Sequence, residues 1–342
     1  MTHHARHGEQ GQTIVVFAIF LIVLLCFVGV VIDGGMYYVE RRDMQGTADA
    51  AALAAVRELP GSVGQASSRA EEYVSTQNST SNGELTSIDF SDSNRTVTVT
   101  VGKTGTQSFG GIMGLDAPEI SATATARVQM MGPRSGMLPL AFMRDTFTIG
   151  DNFEIKFDGN ATGNRGAVAP EMGNSCSGAS GANDFRNLIK GSANGGDDAC
   201  ATEIGGTIQT EPGNMSGPTR QGFDGRLNGN SQSFDDVFEF DASTGLYSVL
   251  DPNSPRLGIV PVIENTNGTN TWPNGRKDVV ILGYMLVYIG KEDASGYPAY
   301  TNNGKSVWVT PVQALLPADF QVDDFVDYDS GLPSPVVFRL TD

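Results

Sequence analysis

The chain has 342 residues, with 39 acidic and 22 basic side chains and a formal net charge of −17. This acidic excess argues against nucleic acid as a partner, because binding to phosphates needs a basic surface. It also argues against attachment to the surface of anionic lipid. The 42 glycines and 16 prolines indicate many loops, and the length leaves room for two modest domains.

The first element is an uncharged apolar run from Thr13 to Ile32, TIVVFAIFLIVLLCFVGVVI. A helix of this length crosses the hydrocarbon core of a bilayer. A cleaved signal peptide is the alternative, but its apolar run is shorter and ends in a small-x-small site, which this run lacks. The sequence therefore predicts a retained transmembrane helix over residues 13–32, after a cytoplasmic tail over residues 1–12.

The charges beside this run give only a weak indication of its orientation. Arg6 precedes the run, and Arg41 and Arg42 follow it beside Glu40 and Asp43. Taken alone, the cytoplasmic bias of Lys and Arg would place the larger part of the chain inside. The acidic, glycine-rich and lysine-poor composition is typical of an exposed surface instead. We therefore expect a single-pass protein with its C-terminal bulk outside the cytoplasmic membrane.

A helical pattern continues beyond the apolar run to Leu59, where Pro60-Gly61 ends it. Its alanine-rich part, TADAAALAA, is either simply a good helix former or a surface that packs closely against a neighbouring subunit or a sheet. The same small-residue argument applies inside a bilayer, where helices associate through van der Waals contact. The candidate helix-packing residues are Gly29, Asp33, Gly34, Gly35, Ala48, Ala51 and Ala55.

Strand signals follow a second short helix, which is predicted over residues 62–77. Apolar residues alternate at 88–90, 97–101 and 120–128, and the chain turns at Asp92-Ser93-Asn94. The face at 120–128 is mostly alanine, so a helix can lie close to it. Residues 33–130 are therefore predicted to form a long helix with a small antiparallel sheet.

The best linker in the chain is the segment 131–136, MGPRSG. Beyond it, residues 137–342 are predicted to form a β-rich domain with short helices near 184–190 and 218–227. Its buried-strand candidates are residues 257–263, 279–289, 307–316 and 336–340. The fold class expected for the whole chain is α+β.

Histidine and cysteine positions restrict the chemistry of the chain. His3, His4 and His7 are the only histidines and precede the apolar run, which leaves none for a catalytic triad or a zinc site in the body. We expect no enzyme activity and no cofactor, although a carboxylate-pair hydrolase needs no histidine. Cys26 lies within the apolar run. Cys176 and Cys200 lie in loop sequence and predict one disulfide, with two free thiols as the alternative.

The segment from Gly11 to Val56 resembles the N-terminal region of TadG-like proteins of the Tad (Flp) pilus assembly system. The matching residues are Gly11, Phe17, Ala18, then Val31-Ile32-Asp33-Gly34-Gly35-x-x-Tyr38, and then Arg41-Arg42-x-x-Gln45-x-x-Ala48-Asp49-Ala50-Ala51-Ala52-Leu53-Ala54-Ala55. A looser similarity to the C-terminal part of such proteins covers 211–219, 258–263 and 279–289. The resemblance implies one membrane span, a bacterial cell-envelope location and a role in building or anchoring adhesive pili.

Two family features are missing from this sequence. Some members carry a metal site of the form Asp-x-Ser-x-Ser, whereas Asp241-Ala-Ser243-Thr-Gly245 lacks the third ligand. Pilin-like relatives are cut after a glycine and carry Glu at the fifth mature position. Cuts after Gly8 or Gly11 would place Thr13 or Val16 there, which does not favour processing.

The function expected from these observations is a structural or assembly component of a Tad (Flp, type IVc-like) pilus. It would act by helix packing in the bilayer and through an exported scaffold domain. Its partners would be the membrane and other pilus-assembly or pilin-like proteins, and an oligomer formed through the N-terminal helix remains open. The alternative is a surface adhesin or carbohydrate-binding protein that shares the anchor, with Trp272 and Trp308 as its aromatic candidates.

One acidic stretch has the composition of a weak calcium loop, with aspartates at 319, 323, 324, 327 and 329. Calcium takes six to eight oxygen ligands, and an EF-hand loop closes with a Glu at its twelfth position. That Glu is missing, so a solvated acidic loop is expected and no metal site is assigned.

Overall fold

A computed structural model describes residues 10–77, 83–132, 135–159, 163–173, 175–242, 244–293, 296–317, 320, 325–329, 332 and 334–341. The chain divides into two compact units. Unit 1 comprises Met1–Arg127 with Phe338–Asp342, and unit 2 comprises Val128–Val337. The helices and strands confirm the expected α+β class, with a strand-rich C-terminal part. The predicted linker begins at Met131, which is the last residue of a strand and is buried.

Unit 1 begins with one continuous helix, α1, Gln10–Val56. At 1.5 Å per residue its 47 residues extend about 70 Å, and Gly34-Gly35 does not interrupt it. It ends at Val56, a few residues before the predicted stop at Pro60, and a turn over residues 57–61 follows. Helix α2, Val63–Glu72, starts at an N-cap, where the Ser62 side chain accepts a hydrogen bond from the Gln65 amide. One turn of π-helix follows, Tyr73–Gln77.

Three antiparallel strands complete most of unit 1: β1, Glu84–Ser91; β2, Thr96–Thr104; and β3, Glu119–Met131, whose last residues belong to unit 2. Apolar side chains alternate as predicted, and α1 packs against β2. The side chains of the buried face are Val97, Val99, Val101, Ile120, Ala122, Ala124 and Ala126. The loop from β2 to β3 contains a short 3-10 helix, Gly110–Met113.

Unit 2 contains two further helices and many strands. Helix α3 is Gly181–Lys190 and helix α4 is Ser216–Leu227. The strands are β4, Phe142–Met143; β5, Phe153–Gly159; β6, Gly163–Arg165; β7, Val168–Ala169; β8, Glu171–Met172; β9, Ser177–Gly178; β10, Thr207–Thr210; β11, Phe238–Asp241; β12, Leu246–Val249; β13, Leu257–Asn265; β14, Asp278–Ile289; β15, Tyr300–Thr301; β16, Ser306–Val312; β17, Ala314–Leu315; β18, Phe325–Asp327; and β19, Val336–Thr341. Residues 338–341 of β19 return to unit 1.

The core of unit 2 surrounds a mostly antiparallel sheet in the order β4-β13-β14-β16-β5-β6. The long strands β13 and β14 pair from Leu257–Tyr288 to Asn265–Val279 and are buried along most of their length. One apolar cluster includes Phe185 and Phe223 from α3 and α4, and another includes Phe238 and Val249 from β11 and β12. All four predicted segments form strands, but 307–316 is divided into β16 and β17, and in β19 only Val336 is buried, so burial was predicted wrongly for most of 336–340.

Candidate functional site

One face of α1 contacts the rest of unit 1 from the predicted membrane span to the end of the helix. Its positions recur every three or four residues, which keeps them on one side of a helix. In chain order they are Gly29, Asp33, Tyr37, Glu40, Met44, Ala48, Ala51 and Ala55. All are buried except Tyr37 and Glu40, which are half-buried. The chemistry of this face changes from apolar to charged and back to apolar along the helix.

The Asp33 carboxylate binds the start of the 3-10 helix in the β2–β3 loop. It accepts hydrogen bonds from the amides of Ser108 at 2.9 Å and Gly110 at 2.6 Å, and the Phe109 amide lies 3.1 Å from its Oδ2 atom. The first amides of a helix lack partners within the helix, and a carboxylate satisfies them well. Asp33 was a candidate helix-packing residue, and the structure shows this specific contact for it.

Two further contacts join the same helix face to this loop. The Tyr37 hydroxyl donates to Gln107 Oε1 at 3.1 Å. Glu40 accepts a hydrogen bond from the Thr106 amide at 3.1 Å, and its other oxygen lies 3.1 Å from Lys103 Nζ. Burial alone would raise the pKa of Glu40, but these hydrogen bonds and the charge of Lys103 hold the pKa below its ordinary value.

Gly29 and the three alanines provide close packing within unit 1. A Cβ atom added at Gly29 would lie 2.8 Å from Phe109 Cβ, which is closer than two carbon atoms pack. Ala48, Ala51 and Ala55 are fully buried on the side of α1 that packs against other elements of unit 1, including β2 and α2. These candidate residues are therefore occupied by contacts within their own unit.

Gly34 and Gly35 lie on a different face of α1. A Cβ atom added at either position would meet no atom within 4 Å, and both glycines are exposed. Near them, Tyr38 is 72% and Val39 is 56% exposed, and Gly46 has equally open surroundings further along. The seven candidate positions thus divide into five that contact unit 1 and two that are open.

The structure joins Cys176 and Cys200 in a disulfide within unit 2, as predicted. The Cys200 amide donates to the carbonyl of Glu171, so the bridge lies beside the short β8–β9 pair. Cys26 is a free, exposed cysteine on α1.

The remaining candidates add no site among the described residues. No group of three or more His, Cys, Asp or Glu side chains within them is placed to hold a metal ion. The histidines, Gly8, Ser243, Asp319, Asp323 and Asp324 lie outside the described part of the chain. Trp272 packs against the core of unit 2, and the ring of Trp308 is covered by Lys291, whose Nζ lies 4.1 Å from the ring centroid.

Sequence reasoning did not identify the partners that the loop brings to the helix. Gln107 and Phe109 reach α1 from about seventy positions away along the chain. The signal that could have found the loop is its composition, because Phe109, Ile112 and Leu115 surround glycines in a segment that carries few charges. A loop in water rarely needs so many large apolar side chains.

Comparison with known protein families matches residues 11–58 to the family described as "Putative Flp pilus-assembly TadE/G-like". No curated protein and no solved structure matches the chain significantly. The matched residues contain the one described helix that is long and apolar enough to cross a membrane. This match makes the N-terminal segment similar to TadE/G-like proteins of Tad pilus assembly, and together with the apolar helix it supports a pilus-associated, membrane-anchored component.

Proposed function

We propose that the protein is a structural assembly component of a Tad pilus whose α1 helix has two separate tasks. The face from Gly29 to Ala55 holds unit 1 together, and the open face around Gly34 and Gly35 receives a helix of another pilus-assembly or pilin-like protein. The observation that carries this proposal is the contrast between the two faces, since only the second leaves its small residues without neighbours.

Small residues suit helix contact at the edge of a bilayer for a physical reason. Lipid tails are as apolar as leucine, so helices within the hydrocarbon associate through close van der Waals contact. Gly34 and Gly35 follow shortly after the apolar run, so they would let this close approach continue as the helices leave the bilayer. Gly34 and Gly35 would let a second backbone approach closely, and the exposed Tyr38 and Val39 would add apolar contact one turn further on. Unit 2 would be the exported scaffold that contacts other envelope proteins.

Substitution of Gly35 by leucine tests the partner face. Leucine favours a helix by nearly 1 kcal/mol over glycine, so Gly35→Leu strengthens α1 while it blocks close approach. We expect cells with this variant to hold the normal amount of membrane-inserted protein and to lose pili. The matched control is Gly64→Leu, because Gly64 lies in α2 with equally open surroundings. Normal pilus numbers with Gly35→Leu would exclude this face as the partner site.

We further propose that unit 2 lies outside the cytoplasmic membrane, because disulfides persist in oxidising compartments. In intact cells with a Cys26→Ser background, a membrane-impermeant maleimide should label Cys176 and Cys200 only after mild reduction. Labelling that needs cell lysis but no reduction would place unit 2 in the cytoplasm and overturn the proposed role.

A further inference from the structure

The loop between β2 and β3 has an unusual surface for a loop in water. Four of its large apolar side chains are exposed, namely Phe109 at 39%, Ile112 at 81%, Met113 at 45% and Leu115 at 58%. They lie close together in sequence around the 3-10 helix Gly110–Met113. Contiguous exposed apolar patches mark contact with a partner or a membrane.

The position of the loop along α1 indicates that the loop contacts the membrane rather than a partner protein. Phe109 packs directly on the helix backbone at Gly29, inside the apolar run that ends at Ile32. Gly29 lies three residues, or about 4.5 Å, before that end. The twenty residues of the run give about 30 Å of helix, which equals the thickness of the hydrocarbon core. The whole run is therefore needed to span the bilayer, and Phe109 lies level with its apolar boundary.

Many of the backbone polar groups of the loop have hydrogen-bond partners within the protein. Three consecutive amides bind the Asp33 carboxylate, the Leu115 amide donates to the Gly110 carbonyl, and the Ile112 amide donates to the Phe109 carbonyl. Gln107 Nε2 donates to the Leu115 carbonyl at 2.8 Å. Irregular backbone is tolerated at membrane depth only when protein groups satisfy it. These hydrogen bonds satisfy much of the loop backbone, and its large apolar side chains remain exposed.

Polarity rises along α1 in the direction that leaves the bilayer. Three polar contacts follow Gly29 at intervals of about one helical turn. The Asp33 carboxylate accepts from the loop amides, Tyr37 donates to Gln107, and Glu40 pairs with Lys103. Tyr38, next to Tyr37 on the helix, is exposed, and tyrosines are enriched at the interface between lipid and water. This order matches the passage from hydrocarbon through headgroups to water.

We propose that residues 109–115 insert into the lipid interface beside the spanning helix, with Ile112 as the most deeply inserted side chain. The occupant of this apolar surface is the bilayer that holds α1, because the patch is continuous with the spanning segment at Gly29. The acidic charge of the chain does not oppose this contact, since residues 105–115 carry no charged side chain. The proposal rests on the membrane anchoring of α1. A second insertion point beside a single helix fixes the depth of unit 1 and prevents its rotation about the helix axis.

Nitroxide labels on the full chain in vesicles of phosphatidylethanolamine and phosphatidylglycerol test the proposal. In a Cys26→Ser background, Ile112→Cys reports the loop. Ser91→Cys is the control, because Ser91 is exposed at the opposite end of the sheet. A third sample labelled at the native Cys26 reports the anchor. Each label is scored by its collisions with oxygen, which concentrates in hydrocarbon, and with a nickel chelate, which stays in water.

We expect oxygen collisions to exceed nickel collisions at 112 and at Cys26, and the reverse at 91. Oxygen-dominated collisions at Cys26 together with nickel-dominated collisions at 112 would overturn the loop insertion and leave the anchor intact. Nickel-dominated collisions at Cys26 would overturn the anchor, and with it both the loop insertion and the proposed pilus role.

Discussion

A single carboxylate, that of Asp33, connects the membrane helix to the loop that lies beside it. Its three amide contacts are formed by residues 108–110, which are consecutive in the chain, so one side chain orders a whole turn. Asparagine would offer only one acceptor oxygen, and glutamate is longer by one methylene group. The short, doubly accepting side chain of aspartate therefore suits this position.

Asp33→Ala is expected to release the turn at 108–110 without affecting insertion of the helix. The amides of Ser108, Phe109 and Gly110 would lose their acceptor and open more often to solvent. Hydrogen exchange on the full chain in vesicles should show faster exchange at these three amides. The control is Asp49→Ala, since the Asp49 carboxylate accepts from Gln45 on the same helix. Equal protection of the turn in Asp33→Ala and the unaltered chain would contradict the assigned contact.

Lys156 shows how a single residue can depart from its sequence pattern. The alternation of Phe153, Ile155 and Phe157 places Lys156 on the opposite face of β5, where a solvent-exposed lysine is expected. The structure buries it completely, and its Nζ donates to the carbonyls of Asn214 and Gly304, each at 3.0 Å. These carbonyls come from distant segments, so local periodicity could not predict the burial.

Helix α1 is the element in which sequence reasoning and structure agree most closely. Its apolar run, its continuation into the alanine-rich segment and the alternating strands were predictable, because each depends on a local period. The division of its small residues between two faces was not, since it depends on where β2 and the β2–β3 loop return to the helix. Ala48 and Gly34 look alike in sequence, and only the fold makes one buried and the other open.

Ala51→Leu is expected to destabilise unit 1 by about 1–3 kcal/mol, the usual cost of overpacking a tight core. Ala51 is fully buried, so the added carbon atoms would push α1 away from the elements that it packs against. Chemical denaturation of the full chain in detergent, followed by circular dichroism, measures the loss. The control is Gly46→Ala on the open face, which should stabilise the helix by roughly 1 kcal/mol. Equal stability of Ala51→Leu and the unaltered chain would contradict this packing.

Across the whole molecule, the two units differ in the interactions that stabilise them. Unit 1 depends on small side chains and a few hydrogen bonds along one helix face, whereas unit 2 has large apolar clusters, buried tyrosines and a disulfide. Burial raises the pKa of both Tyr284 and Tyr288 to about 12. Each hydroxyl also donates to a backbone carbonyl, that of Thr202 or of Gln232.

The raised pKa values of Tyr284 and Tyr288 predict that unit 2 loses stability at alkaline pH. Between about pH 10 and 12 the folded state keeps both protons while the unfolded chain releases them, so the free energy of unfolding falls as the pH rises. The difference amounts to roughly 2–3 kcal/mol for each tyrosine by pH 12. Denaturation at a series of pH values should show this slope, and Tyr284→Phe should reduce it. An unchanged slope in Tyr284→Phe would show that the hydroxyl of Tyr284 does not cause it.

The chain passes between the units twice, leaving unit 1 within β3 and returning to it within β19. Residues 338–341 are synthesised only after the whole of unit 2, yet they belong to the unit that carries the membrane helix. Unit 1 therefore cannot be completed while unit 2 is still being made. If unit 2 is exported, membrane insertion of the first helix comes early and closure of the unit around it comes last. A nascent chain that stalls within unit 2 would thus be anchored but left with an incomplete membrane-proximal unit.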